Sequence, residues 1–167
     1  MTDRITSERC AIEKTAIILL GHGSRAMNAS QDMETVVARL KMDSQFDIVE
    51  ICQMSGLGEH FPEVFDRCVA AGASRIIVIP YFLHFGIHLR KDVPAMMMNK
   101  ARQYPNVNVI LGKHIGYDDA LVTILRKRIA QSESLSDIRD IEMDTDDTPD
   151  IDIEDYGDNH NETNVRI

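Results

Sequence analysis

The stretch Thr15-Ala-Ile-Ile-Leu-Leu-Gly-His-Gly-Ser-Arg25 decides how the rest of the chain is read. Its apolar run, Ala16 to Leu20, is too short for a globular helix and predicts a strand buried on both faces. Gly21 and Gly23 permit a tight turn and a close backbone approach on either side of His22. His22 is therefore expected at the carboxyl end of a buried strand, where open α/β sheets bind their ligands.

Outward from that stretch the pattern alternates. Residues 30–42 set Met33, Val36, Val37 and Leu40 at helical spacing, and Asp47 to Gln53 predicts a second, less apolar strand nearer an edge. Phe61 to Ala71 predicts a helix with Val64, Phe65, Cys68 and Val69 on one stripe and Gly72 as its stop. Arg75 to Pro80 predicts a third strand, followed by a loop from Tyr81 to Lys91. Asp92-Val-Pro94 then reads as a helix start, with Asp92 as the N-cap and proline in the first turn. Val107 to Leu111 predicts a fourth strand, and Tyr117 to Ala130 a last helix with Leu121, Ile124, Leu125 and Ile129 facing inward. The alternation predicts an α/β fold, a doubly wound parallel four-stranded sheet with helices on both faces, in the flavodoxin-like order 2-1-3-4.

At 167 residues the chain suits one domain over 15–131, between an N-terminal extension, 1–14, and a tail, 132–167. The tail holds thirteen acidic residues against Arg139 and Arg166 and few large apolar groups, so it is expected to be disordered. Residues 1–131 carry sixteen basic and fourteen acidic side chains, so the net charge of −9 belongs to the tail. That balance gives no reason to expect a nucleic-acid partner. No apolar run approaches bilayer length and 1–14 has no secretory core, so no membrane partner is expected either. Cys10, Cys52 and Cys68 form no C-x-x-C pair, which predicts reduced thiols in a cytoplasmic protein.

The order 2-1-3-4 places its switch point between strands 1 and 3, which brings His22 towards His84 and His88 on the loop after strand 3. Imidazoles facing one crevice can hold a divalent first-row metal or take protons near neutral pH. Arg25, Arg90, Lys91 and Lys113 near strand ends can meet an anionic ligand, and Ser24 can cap the first helix or donate to a carboxylate. Phe85 and Met96 are candidates to pack on a flat ligand, although methionine runs of the Met96-Met97-Met98 kind are more often core. His60, His114 and His160 carry no such pattern, though His114 also follows a strand and can rim the site.

Two motifs at this spacing carry a family resemblance: Gly21-His-Gly-Ser24 after strand 1, and Pro80-Tyr-Phe82-Leu83-His-Phe-Gly86-Ile-His88-Leu-Arg-Lys-Asp92-Val-Pro94 after strand 3. Over about Ala16 to Ala130 the chain resembles the small sirohydrochlorin chelatases, the CbiX-type class II chelatases. The resemblance implies a lyase-class enzyme that inserts a divalent metal into a tetrapyrrole without ATP and without an organic cofactor. It implies His22 and His88 as the catalytic, metal-handling pair, with His84 a candidate third ligand. Ser24, Arg25, Phe85, Gly86, Arg90 and Lys91 are expected to bind sirohydrochlorin. The first-choice metal substrate is cobalt, on the anaerobic cobalamin route; iron for sirohaem, nickel for coenzyme F430, and a non-catalytic metal or tetrapyrrole carrier are the alternatives. Relatives of this half-length pair as homodimers. Many relatives place a glutamate after strand 2 where this chain has Ser55, which leaves Glu59 or the tail to supply an acid.

Overall fold

The computed structural model describes residues 13–24, 31–42 and 45–140. Most of the expected N-terminal extension, and the tail beyond Asp140, therefore lie outside the described residues, as does Arg25. Four parallel strands, β1 (Thr15–Gly21), β2 (Ile48–Gln53), β3 (Arg75–Pro80) and β4 (Asn108–Leu111), form one sheet in the order β2-β1-β3-β4. This is the expected topology, with β2 at an edge.

β1 is the centre of the core because its neighbours flank it on both sides, Leu20 pairing with Cys52 and with Pro80. Alternation along the strand divides its side chains between two apolar layers. Ala16, Ile18 and Leu20 pack with Ile76, Val78 and the α2 (Phe61–Ala70) residues Phe61, Val64, Phe65 and Cys68. On the same layer lie Leu89, Val93 and Met97, of which the last two belong to α3 (Val93–Ala101). Ile17 and Leu19 face the other way, against Val49 and against Met33 and Val37 of α1 (Gln31–Lys41). Each fully buried Val, Leu, Ile or Phe contributes about 1.5–3 kcal/mol, so the layers rather than helix propensity hold the sheet. Met96 is partly buried against the first layer, as the core reading of the methionine run requires.

Three expectations are corrected. The segment after β3 is not a loop as far as Lys91: a π-helical turn, His88–Asp92, runs directly into α3. Asp92 consequently has helical φ and ψ of −75° and −46°, and its side chain makes no capping bond. The last helix, α4 (Asp119–Ser132), does not bury its apolar stripe: Leu121 is half-buried, while Ile124 and Leu125 are 50% and 60% exposed.

The chain divides into two compact units, 1–125 and 126–167, with the boundary inside α4. All four strands and α1 to α3 belong to the first. Among the described residues, the second holds the end of α4, where Ile129 is exposed, and a short 3-10 turn, Ile138–Asp140. No described helix is long and apolar enough to cross a membrane.

Candidate active site

Two loops at the carboxyl ends of β1 and β2 are joined along their backbones. Met54 N–H donates to the Gly21 carbonyl at 3.0 Å, Leu57 N–H to the Ser24 carbonyl at 2.9 Å, and the Ser55 hydroxyl to the His22 carbonyl at 3.2 Å. Gly23 has φ +97°, and a Cβ there would sit 1.8 Å from the Ser55 carbonyl oxygen. Only glycine fits a backbone both left-handed and in contact with a second backbone. His22 is thereby carried on a rigid double loop.

The facing wall comes from the segment after β3. Tyr81 N–H donates to the Leu20 carbonyl at 2.8 Å, which ties the start of this segment to the end of β1. His22 and His88 then meet, ring centroids 5.2 Å apart and planes at 80°, with Phe82 edge-on to His22 at 5.9 Å. Both histidines, Phe82, Leu83, His84, Gly86 and Leu89 line one cavity of about 360 Å³. The sequence-based expectation that β1 and β3 bring these three histidines to one crevice therefore holds as geometry. Among the described residues, however, no group of three or more His, Cys, Asp or Glu side chains is arranged to hold a metal ion. His84 shares the cavity without completing such a set.

The other expected residues separate. Phe85 is 56% exposed, with the Arg90 guanidinium 5.2 Å from its ring centroid and the His114 ring 5.5 Å from it. His114, which by sequence could rim the site, here packs at a tilt against Phe85, with the Arg90 guanidinium over the same ring. A Cβ at Gly86 would meet nothing within 4 Å, so the glycine relieves no clash and leaves open space. Lys91 is exposed, and Ser24 is half-buried in the first loop.

Glu59, which the resemblance left to supply an acid, does not line the histidine cavity. Arg67 donates to its carboxylate at 2.8 Å and to Glu50 at 3.3 Å, and the Arg67 hydrogen bonds hold the Glu59 carboxyl below the usual range. Its side chain lines a different cavity, of about 230 Å³, together with Glu34, Ile51, Cys52, Gln53 and Gly58. Burial pushes the Cys52 thiol up to about 12 and the Cys68 thiol up to about 11. Both thiols are buried, and neither lines the cavity that holds His22 and His88.

The cavity at the carboxyl ends of β1 and β3 thus pairs His22 with His88 and Gly86. The CbiX family model matches residues 16–132. The chain belongs to the CbiX family. It is 31% identical over 116 residues to the sirohydrochlorin ferrochelatase of Bacillus subtilis, covering 70% of this chain and 44% of that protein. To the sirohydrochlorin cobaltochelatase of Methanococcus aeolicus it is 35% identical over 82 residues, 49% of this chain and 57% of the relative. Among solved structures, SirB from Bacillus subtilis with Fe3+ matches at a TM-score of 0.66 and 29% identity, over 74% of this chain and 48% of SirB. The CbiX protein of Marinobacter aquaeolei matches at 0.61 and 27%, over 73% of this chain and 99% of that one. The chain thus spans about half the length of the ferrochelatases it resembles.

Proposed function

We propose that this chain is a sirohydrochlorin chelatase that inserts a divalent metal without ATP, with cobalt as its ion. The observation that carries the reading is the His22–His88 pair, 5.2 Å between ring centroids in one cavity of a CbiX-family domain. Metallation displaces two pyrrole protons and needs a partly dehydrated ion. One neutral imidazole ligates the incoming metal while the other accepts the first pyrrole proton, and the second proton passes to solvent water at the open cavity. Because the metal is a substrate that must leave, a two-imidazole site suits transfer better than a closed set of ligands. Sirohydrochlorin is a flat polycarboxylate. Phe85 offers it an apolar face, Arg90, Lys91 and Arg25 offer charge, Ser24 a hydroxyl, and Gly86 room. The two buried free thiols suit a reducing cytoplasm.

Cobalt draws its support from the 35% identity to a relative named cobaltochelatase. Iron is the second reading, supported by relatives named ferrochelatase at 28% and 31% identity, although a relative named cobaltochelatase matches the same 70% of the chain at 31%. Imidazole accepts both ions, so ligand type does not choose between them. We further propose a homodimer, supported by the exposed apolar Ile124 and Leu125 on α4. A sedimentation mass of one chain would remove that part.

Anaerobic incubation with sirohydrochlorin and, separately, Co2+, Fe2+ and Ni2+ tests the activity through the absorption change on metallation. Multiple turnovers fastest with Co2+ are expected. Faster turnover with Fe2+ or Ni2+ would reassign the metal. Stoichiometric binding with no metallation by any ion would make the chain a carrier, the outcome that Ser55 in place of the family glutamate favours.

A further inference from the structure

By its place in the sequence, Asp92 is a helix cap; by its place in the fold, it is a histidine's partner. The turn His88–Asp92 is π-helical and continuous with α3, so at Asp92 there is no helix end to cap. Its carboxylate oxygen Oδ2 lies instead 2.8 Å from His88 Nδ1, four residues back on the same turn. π turns of this kind recur where a helix is adapted to a site.

We propose that Asp92 is a positioning residue that sets the tautomer of His88. The proposal rests on the reading of His88 as a metal-handling group. A neutral imidazole has one N–H donor and one lone pair, and the hydrogen bond at one nitrogen decides which atom remains for a metal. With Nδ1–H donating to the Asp92 carboxylate, the lone pair is held on Nε2. The ring is also fixed about its own axis while it faces His22. A carboxylate behind a ligating histidine raises the basicity of the other nitrogen, and loss of such a partner typically lowers metal affinity or activity about 10–100-fold. His88 and Asp92 side chains are 48% and 54% exposed, and an ion pair that open to solvent contributes little to folding. An effect of Asp92 on metal binding with none on stability therefore separates positioning from structural support.

Three full-length variants test this: Asp92→Ala, Asp92→Asn and His88→Ala. Nitrogen-15 NMR of the metal-free chain reads the His88 tautomer, calorimetric titration reads Co2+ binding, and thermal melting reads stability. The wild type is expected to hold His88 as the Nδ1–H tautomer. Asp92→Ala should lose that tautomer and bind Co2+ about 10–100-fold more weakly, with an unchanged melting temperature. Asp92→Asn, whose amide oxygen still accepts a hydrogen bond, should recover part of the affinity. Unchanged tautomer and affinity in Asp92→Ala, alongside weakened binding in His88→Ala, would overturn the role of Asp92 alone. Wild-type affinity in His88→Ala would instead overturn the metal reading of the site, and this inference with it.

Discussion

His22 and His88 share a cavity but are held in opposite ways. His22 is fixed by backbone: Gly21 and Ser24 accept hydrogen bonds from the neighbouring loop, and Gly23 touches the Ser55 carbonyl where no Cβ fits. His88 is fixed by side chain, through the Asp92 carboxylate on an exposed π turn beside an uncrowded Gly86. The first arrangement tolerates no change of shape. The second tolerates change but is tuned by one hydrogen bond. A site that must grip a metal and then release it can thus combine one unyielding wall with one adjustable wall.

The largest effect should come from removing either imidazole. His22→Ala and His88→Ala are expected to lower metallation by at least about 10²-fold, the scale of a lost proton-transfer group, while melting temperatures stay near wild type because both rings are exposed. Retention of full activity by either variant would end the comparison, since that wall would not be part of the site. Next in size is a pair of glycine changes. Gly23→Ala forces a side chain into a left-handed backbone against Ser55, a strain of about 1–3 kcal/mol before the clash is counted. Its melting temperature should fall by several degrees and its activity with it, whereas Gly86→Ala should melt as wild type. Equal losses in the two variants would refute the contrast between walls.

Ser55→Ala sharpens the same contrast on a smaller scale. It removes the hydroxyl bond to the His22 carbonyl, for which about 0.5–1.5 kcal/mol is expected in a denaturation experiment. The smallest effect concerns the support beneath the His88 wall. Lys100 on α3 lies 2.7 Å from the Asp66 carboxylate on α2, and Tyr104 donates to it at 2.7 Å. Hydrogen bonds from Lys100 and then Tyr104 hold the Asp66 carboxyl below the usual range. Stability from a depressed carboxyl is fully present above its unfolded pKa of about 3.9 and is lost as pH falls through the lower folded value. Asp66→Asn should therefore flatten the acid limb of the melting temperature against pH, and an unchanged limb would show the contact to be idle.

How much of this could be read beforehand differs from residue to residue. β1 was legible because five apolar residues bounded by glycine have few alternatives, and the two-layer core follows from its alternation. The convergence of His22, His84 and His88 was legible because strand order alone brings the ends of β1 and β3 together. Asp92 was misread because Asp-Val-Pro is the same string whether a helix starts there or passes through. Ser55 was read only as an acid that is missing. Its bond to His22 depends on two loops meeting, which spacing does not encode. α4 shows the limit most plainly. Leu121, Ile124, Leu125 and Ile129 mark an apolar stripe by period, but period says nothing about what covers the stripe, and Ile124 and Leu125 are exposed.

The sequence by itself determined the strands, the placement of His22 at a strand end and the family, because period, glycine position and motif spacing constrain short-range geometry directly; the strand order was expected from the commonest doubly wound topology and is shown by the structure. Only the tertiary structure decided which group holds each imidazole, that Glu59 is held by Arg67 away from the histidine cavity, and that the last helix keeps an open apolar face. Those are contacts between segments far apart in the chain. They depend on register and packing, to which any one segment contributes only half of each pair.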